Sequence, residues 1–436
     1  MQTMGFTKSV MITFLSNLLL FGLSIVNTTI LSRVLGPEGK GIVDVANNFL
    51  SFVTLILGMG FAASNVYFLG KKKENLNKIF GNNILIVVLG LLFLVPFYFI
   101  QSHWQFKFLQ GITNLQMLVV LVTVPLIIFK SSMINVLLGL QDIVEYNRIN
   151  IVDKILSLVL LAGFLLIAVS PTAAMLSILA GTAVISAWQV YNFVIQRKIP
   201  PQLDSPLLKA MLGYGLKAQA GNIIQRLNYR LDVFIVNYFL SIEQVGIYGI
   251  AVVLGETLWG VTGSIATIVF PIASSSTDKK EMSTFTNQIT RVSFAIIIIF
   301  SVIIALVGKT FIILWFGPAF ATAAGALLWL LPGISIFSVS NILASYLAGV
   351  GLVEKNIYSS IVSGIVTVIL DIYLIPRIGI NGASIATSLS YIVFTLMTIW
   401  FYKRYTQARL LDIIILKRSD LALIRSFIAQ KINKKK

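Results

Sequence analysis

Six basic residues lie inside long apolar runs: Lys130, Lys154, Lys217, Arg226, Arg230 and Arg291. A charge held in the middle of a hydrocarbon layer costs several kcal/mol unless it faces water or a partner. These are therefore the side chains most able to do chemistry. The stretch 209–239 is the richest. With Arg226 at zero on a wheel turning about 100° per residue, Gln219 falls at about +20°, Asn222 at about −40°, Arg230 at about +40° and Asn237 at about +20°. Five polar side chains share one stripe, which must line a cavity. Two arginines one turn apart offer forked donors suited to phosphate or carboxylate; pairing with acids on neighbouring helices is the competing reading. Lys130 either meets the same anion from the opposite wall or forms a simple ion pair. Lys154, Lys217 and Arg291 sit near helix ends and read as snorkelling. The candidate substrate-binding set is Arg226, Arg230, Lys130, Asn222, Gln219 and Asn237.

The acids in these runs are Asp44, Asp153, Asp232, Glu256 and Asp371. Glu256 reads as the partner of Arg226 or as a proton or Na⁺ coupling site. Asp232 points about 120° away from Arg226 on the same wheel, toward another helix. Asp44 heads a second polar stripe with Asn47, Asn48 and Ser51. Glu256, Asp232 and Asp44 are the ion-coupling candidates. Asp371 and Arg377 read as a rim pair.

The elements that position these residues must be membrane helices. The chain has 436 residues, 57% hydrophobic and 11% charged, with mean hydropathy +0.91. A soluble domain carries about 25% charged residues. No cysteine is present and His103 is the single histidine. Disulfides and thiol metal sites are excluded, and the commonest general base is nearly absent. No catalytic residue, cofactor or metal is expected. The formal charge of +17 reads as the positive-inside rule rather than nucleic-acid binding.

A crossing needs roughly 20 apolar residues. Twelve runs qualify: 8–34, 41–69, 79–100, 114–140, 149–169, 172–196, 209–239, 246–273, 285–307, 320–349, 355–375 and 381–402. The first lacks an A-x-A-type cleavage site and reads as an uncleaved helix. If the N-terminus is cytoplasmic, 22 of the 33 Lys and Arg fall inside and five outside, which predicts N-in, C-in topology. The expected organisation is a six-helix lobe over 1–196, a cytoplasmic linker over 197–208, a second six-helix lobe over 209–402 and a basic tail over 403–436. From Leu410 the tail alternates apolar clusters with Lys and Arg, as an amphipathic helix on an anionic leaflet would.

The chain also repeats itself. Leu35-Gly36-Pro37-Glu38-Gly39-Lys40-Gly41-Ile42-Val43-Asp44-Val45-Ala46 returns as Leu240-Ser241-Ile242-Glu243-Gln244-Val245-Gly246-Ile247-Tyr248-Gly249-Ile250-Ala251. A weaker echo relates Gly139-Leu140-Gln141 through Asn147 to Gly349-Val350-Gly351 through Asn356. Six helices per half make these parallel repeats, a transporter signature. Gly41 and Gly246 read as turn residues.

Three of these segments resemble a known family. Asp232 through Leu240, followed by Val245-Gly246-Ile247-Tyr248 and Ala251, resembles the seventh-helix signature of polysaccharide-biosynthesis flippases. Arg33 through Gly41 resembles their first turn. Ile375-Pro376-Arg377-Ile378-Gly379-Ile380-Asn381-Gly382-Ala383 resembles their last. The likeness, spanning 1–402, implies the multidrug/oligosaccharidyl-lipid/polysaccharide (MOP) exporter superfamily in its Wzx-like branch: an all-α membrane fold like that of MATE transporters, with two parallel six-helix lobes. It implies a bacterial plasma-membrane protein moving undecaprenyl-pyrophosphate-linked oligosaccharide by alternating access. The implied partners are that lipid, the surrounding membrane lipids, an H⁺ or Na⁺ counter-ion and polysaccharide polymerases, with no nucleic acid. One departure is Lys217-Ala218 after Leu216, where the family often has Leu-Pro. Twelve helices rather than fourteen argue against the peptidoglycan-precursor branch.

Three rival functions are weaker. A drug or cation antiporter of the superfamily wants an acidic, aromatic-lined cavity, and here arginine is central. A membrane polymerase or ligase wants acid and base groups outside, where loops 101–113 and 308–319 offer only His103, Lys107 and Lys309. A channel would want a charged ring.

Overall fold

The computed structural model describes residues 6–71, 76–275, 278–417 and 420. Its elements are α1 (Phe6–Leu57), α2 (Phe61–Lys71), α3 (Leu76–Trp104), α4 (Asn114–Gly139), α5 (Ile143–Ile167), α6 (Pro171–Val190), α7 (Ser205–Phe239), α8 (Ile242–Glu256), α9 (Trp259–Ser275), α10 (Lys279–Trp315), α11 (Ala323–Gly349), α12 (Val353–Ile378), α13 (Ile380–Thr406) and the short α14 (Leu410–Ile414). The described residues hold no strand. Within them, nine helices are long and apolar enough to cross a membrane: those of α1, α3, α4, α5, α6, α10, α11, α12 and α13.

The other expected runs are helical too, but differently cut. Runs 8–34 and 41–69 meet in α1, whose two arms are joined at Gly36 in the left-handed region (φ 67°). The second arm ends at Leu57. Met59 (φ 46°) and Gly60 (φ 72°) turn the chain before α2 resumes it. Run 246–273 is cut after Glu256 into α8 and α9, and α7 carries too many polar side chains to count as an apolar span. The expected amphipathic stretch at 421–436 lies outside the described residues.

Two compact units form. One comprises residues 1–247 with 315–319, the other 248–314 with 320–436. The first therefore includes α7, beyond the expected lobe boundary at 196. In the first unit, α4 is central, with 67% of its most apolar window buried, against 24% for α3 and 17% for α5. In the second unit α11 has the central place, at 72%, with α10 and α12 each at 22%. The outer helices turn their apolar residues outward, as a lipid solvent allows. Residues 315–319 join the first unit because the Trp315 indole donates to Thr29 Oγ1 at 2.7 Å and Arg33 Nε donates to the Trp315 carbonyl at 2.9 Å.

The weak repeat is legible in the backbone. Gln141 (φ 63°) and Gly351 (φ 86°) both turn left-handed just after their helices end. The strong repeat has a different role from the one expected. Gly41 and Gly246 lie inside α1 and α8, not in turns. A Cβ on Gly41 would overlap the Ile242 carbonyl, and one on Gly246 would overlap the Pro37 carbonyl. The two copies of the motif cross here, backbone against backbone.

In the second unit, Arg291 is not a snorkelling residue. Its Nε and Nη2 fork the Asp420 carboxylate at 2.8 Å each, and its Nη1 donates to the Asp412 carbonyl. Gln288 Nε2 (3.1 Å) and the Lys417 amide (2.8 Å) complete the acceptor set of Asp420, which is 0% exposed. Ile413 beside this pair is buried against Met282, Tyr346 and Tyr402. The chain after α13 is thus sewn to α10.

Two outcomes follow for stability. Gly246→Ala should cost about 1–3 kcal/mol by overpacking, whereas Gly364→Ala, where a Cβ meets nothing within 4 Å, should cost nothing or gain up to about 1 kcal/mol of helix propensity. Thermal unfolding of the two purified variants checks this. The Arg291 fork holds the Asp420 carboxyl down at about 2, below the ordinary value of about 3.9. A depressed folded value gives stability that is complete above about pH 4 and lost as pH falls toward 2. The melting temperature of the wild type should exceed that of Asp420→Asn at pH 7, and the gap should close between about pH 4 and pH 2.5.

Candidate functional site

Helix α7 starts with a cap. Asp204 accepts from the Leu207 amide at 2.8 Å and pairs with Lys78 of α3 at 2.6 Å. That lysine holds the Asp204 carboxyl below its usual range. Asn82 braces the same residue through both its amide groups, bonding the Asp204 carbonyl (3.1 Å) and amide (3.2 Å). The expected linker 197–208 is in this way fastened to α3.

From there α7 runs along α2 and α1. A Cβ on Gly60 would overlap the Gly215 carbonyl, and one on Gly215 would crowd the Met59 carbonyl and Ser64 Oγ. Ser64 Oγ donates to the Met211 carbonyl at 2.7 Å. The break at 58–60 is therefore where α7 comes closest. At the far end Asn237, 0% exposed, donates to the carbonyls of Phe108 (3.0 Å) and Gln110 (3.1 Å), and Gln110 returns a bond to the Asn237 carbonyl.

Between these two contacts lies a cavity of about 740 Å³ within the first unit. From α7 it is lined by Gln219, Asn222, Gln225, Arg226 and Tyr229. α1 contributes Asn47, Ser51 and Thr54, among others, and α4 contributes Ser131 and Ser132. Phe61 and Ala62 of α2 and Ile178 of α6 add apolar surface. Among the described residues, the lining contains one cation, Arg226, and no carboxylate. Neutral amides and hydroxyls provide the other polar groups. Such a wall can hold an anionic group at one point and hydroxyl-rich groups around it.

Of the six expected binding residues, the structure brings Arg226, Asn222 and Gln219 to this cavity. Gln219 also donates to the Leu55 carbonyl at 2.6 Å, and Asn222 to Gln219 at 3.4 Å. Asn237 instead clamps the loop 107–111. Arg230 is absent from the lining; its charge acts on Asp44 of α1. Lys130 is held by Asp153 of α5, its ammonium 2.8 and 3.0 Å from the two carboxylate oxygens. The reason is the hairpin: the two residues lie nine and ten positions from the facing ends of α4 and α5.

Among the coupling candidates, Asp44 pairs with Lys40, a lysine only 2% exposed. With Arg230 also acting on it, a third cation there would meet net positive charge. Asp232 is buried, one oxygen accepting from the Val233 amide at 2.8 Å. Glu256 ends α8 in the second unit. Asp371 is fully buried on α12, and Arg377 lies over the Tyr373 ring at 3.8 Å.

The sequence reading missed Gln225 and Tyr229. The cavity face of α7 runs from about +20° at Gln219 to about −100° at Gln225, so its centre lies to one side of the charged stripe. Gln225 Nε2 donates to Tyr229 Oη at 3.0 Å, an i,i+4 pair that could have been read as a second polar seam.

Comparison with known proteins fits this geometry. The family model described as polysaccharide biosynthesis protein matches residues 6–277. The chain is 28% identical over 280 residues to the probable low-salt glycan biosynthesis flippase Agl15 of Haloferax volcanii, an alignment covering 61% of this chain and 56% of that protein. It is 22% identical over 395 residues to a putative O-antigen transporter of Shigella flexneri, covering 86% and 92%. The chain spans about half the length of the first curated relatives it matches. In fold, it is similar to an inward closed structure of the lipid II flippase MurJ, with TM-score 0.76, 14% identity and coverage of 91% and 87%. It is similar also to an inward-facing multidrug resistance MATE family transporter of the MOP superfamily, with TM-score 0.72, 16% identity and coverage of 89% and 94%.

The Lys130–Asp153 pair generates a prediction. Lys130→Ala leaves a carboxylate without its ammonium and should lower stability by about 1–3 kcal/mol. The double variant Lys130→Met/Asp153→Leu should regain most of it. Denaturation of the single and double variants measures this, and a double variant no more stable than the single would count against the structural role.

Proposed function

The chain belongs to the polysaccharide biosynthesis protein family, and from that premise we propose that it is a flippase for lipid-linked oligosaccharide. The proposed substrate is an undecaprenyl-pyrophosphate-linked glycan, carried from the cytoplasmic to the outer leaflet of a bacterial plasma membrane. The observation that carries this reading is the cavity: lined by Arg226, amides and hydroxyls beside apolar side chains, with no carboxylate among the described residues of the lining, and large enough for a saccharide headgroup. Pockets of roughly 300–1,000 Å³ hold ligands of drug size.

In this mechanism the pyrophosphate meets Arg226, a forked donor with a charge that never titrates away. Asn222 and Gln219 supply further bonds, and the polyprenyl tail stays in lipid. Twelve crossings with both termini inside, arranged as two repeats, let the site open to each side in turn. Direction comes from an H⁺ or Na⁺ gradient or from consumption of the glycan by a polymerase outside. Asp232, Glu256 and Asp44 are the coupling candidates, of which Asp44 pairs with Lys40.

A cation antiporter of the same superfamily is the second reading. It is disfavoured because a cationic substrate in this cavity would meet Arg226, and no carboxylate is among the described residues of the lining.

The test is transport of a fluorescent undecaprenyl-pyrophosphate-linked sugar in proteoliposomes. Wild-type protein should move it across the bilayer, and Arg226→Ala should slow transport by about tenfold or more, since a charge-assisted bond is worth about 1.5–3 kcal/mol. Absence of wild-type transport under either ion gradient would overturn the proposal.

A further inference from the structure

In the second unit the apolar runs of α10 and α13 end at nearly the same level. On α10 no charged residue follows Arg291 until Lys309, and α13 is free of charge from Ile380 to Tyr402. The Tyr402 hydroxyl donates to Asn287 Oδ1 at 2.9 Å, one turn before Arg291. Trp400, with the Arg404 guanidinium over its ring at 5.6 Å, has the place of an interfacial aromatic.

The chain does not run straight on from here. Gln407 turns it left-handed (φ 61°). The strap 408–417 is then held against the unit by Ile413, which is buried, and by the fork of Arg291 on Asp420. Leu410, Leu411, Ile415 and Leu416 are exposed, Leu411 by 62% and Ile415 by 54%. Exposed apolar side chains where apolar spans give way to charge are the pattern of an interfacial element. Charge gives the sign of the surface it meets. Residues 403–417 carry four exposed cations, Lys403, Arg404, Arg409 and Lys417, and one acid, Asp412, which Lys417 pairs at 2.5 Å. A water-soluble acidic partner would satisfy the cations and leave the leucines bare. Anionic phospholipid satisfies both.

We propose that the strap 408–417 lies in the headgroup layer of the adjoining leaflet and binds its anionic phospholipids, and that the Arg291–Asp420 fork ties it to α10. The leucines enter the acyl boundary, and Lys403, Arg404 and Arg409 meet phosphates. Each cation so placed strengthens the attraction about fivefold. Lipid that binds the docked strap stabilises the second unit through the fork. The inference does not depend on what the protein transports.

The test uses the full-length protein in nanodiscs. The chain has no cysteine, so Leu411→Cys and Lys280→Cys each carry a single dye. Lys280 stands eleven residues before Arg291, about 16 Å further along α10 from its apolar run. Brominated lipid should quench the dye at 411 severalfold more than the dye at 280, and aqueous iodide should do the reverse. Adding phosphatidylglycerol to phosphatidylcholine should raise the wild-type melting temperature by about 2–4 °C. Arg404→Gln/Arg409→Gln should lose most of that rise. Asp420→Asn should lose it while keeping lipid quenching at 411, which separates lipid contact from its coupling to α10. Should Asp420→Asn fold poorly, Gln288→Ala, which removes one bond to Asp420, should lose part of the rise. Equal lipid quenching at 411 and 280 would overturn the proposal. A dye at 411 shielded from both quenchers would put a protein partner or a second copy on this face and overturn it too. Lipid quenching at 411 with no response to phosphatidylglycerol would overturn the binding of anionic lipid.

Discussion

A helix as polar as α7 cannot be left against lipid, and the first unit is organised around covering it. An unsatisfied polar group in hydrocarbon costs several kcal/mol. The cover comes from α1 and α2, and it is closest where side chains are smallest. Gly215 meets Gly60 near one end, and just beyond the other end Gly246 meets Gly41. Small residues let membrane helices approach to backbone contact. Between these contacts the cavity lies along residues 219–229, with Gln219 still bonded to the Leu55 carbonyl of α1. The break at 58–60 serves the same end. It turns α2 so that Gly60 can reach Gly215, and it places Gly58 and Phe61 in the cavity wall.

Charge placement follows from this arrangement. Three buried or half-buried cations pair with a carboxylate: Lys40 with Asp44, Lys130 with Asp153 and Arg291 with Asp420. Each pair lies away from the cavity lining. Breaking such a pair is costly, which is weak evidence that it stabilises but strong evidence that its members are committed. Arg226 instead stands on the cavity wall itself, among amides, hydroxyls and apolar side chains.

Much of this was legible in the sequence because lipid makes polarity conspicuous. The apolar runs, the double motif and the stripe on α7 all follow from counting what hydrocarbon tolerates. What stayed hidden needed a second coordinate. Asp153 stands next to Lys154 in sequence, and the hairpin of α4 and α5 gives it to Lys130. A helical wheel orders side chains around one axis and says nothing of which neighbour lies at each angle, so Arg230 and Asn237 looked equivalent to Arg226. Gln225 and Tyr229 drew no notice because the argument from cost looks for charges, and neutral groups are cheaper to place. Arg291 was read as snorkelling because its acid lies 129 residues away, beyond the last helix.

The double motif itself has a physical explanation in the crossing of α1 and α8. Gly41 packs on Ile242, and Gly246 packs on Pro37. In each case the glycine meets the residue four positions before the other copy's glycine. This is an isologous contact, in which the same patch meets itself. A self-complementary contact constrains both copies in the same way, because a Cβ on either glycine strikes the other copy's backbone. Carbonyls, not side chains, form the surface met, so Pro37 and Ile242 are free to differ while Gly41 and Gly246 are not. The motif read first as a pair of turns is thus the mark left in the sequence by two copies that touch at their own equivalent points within the first unit.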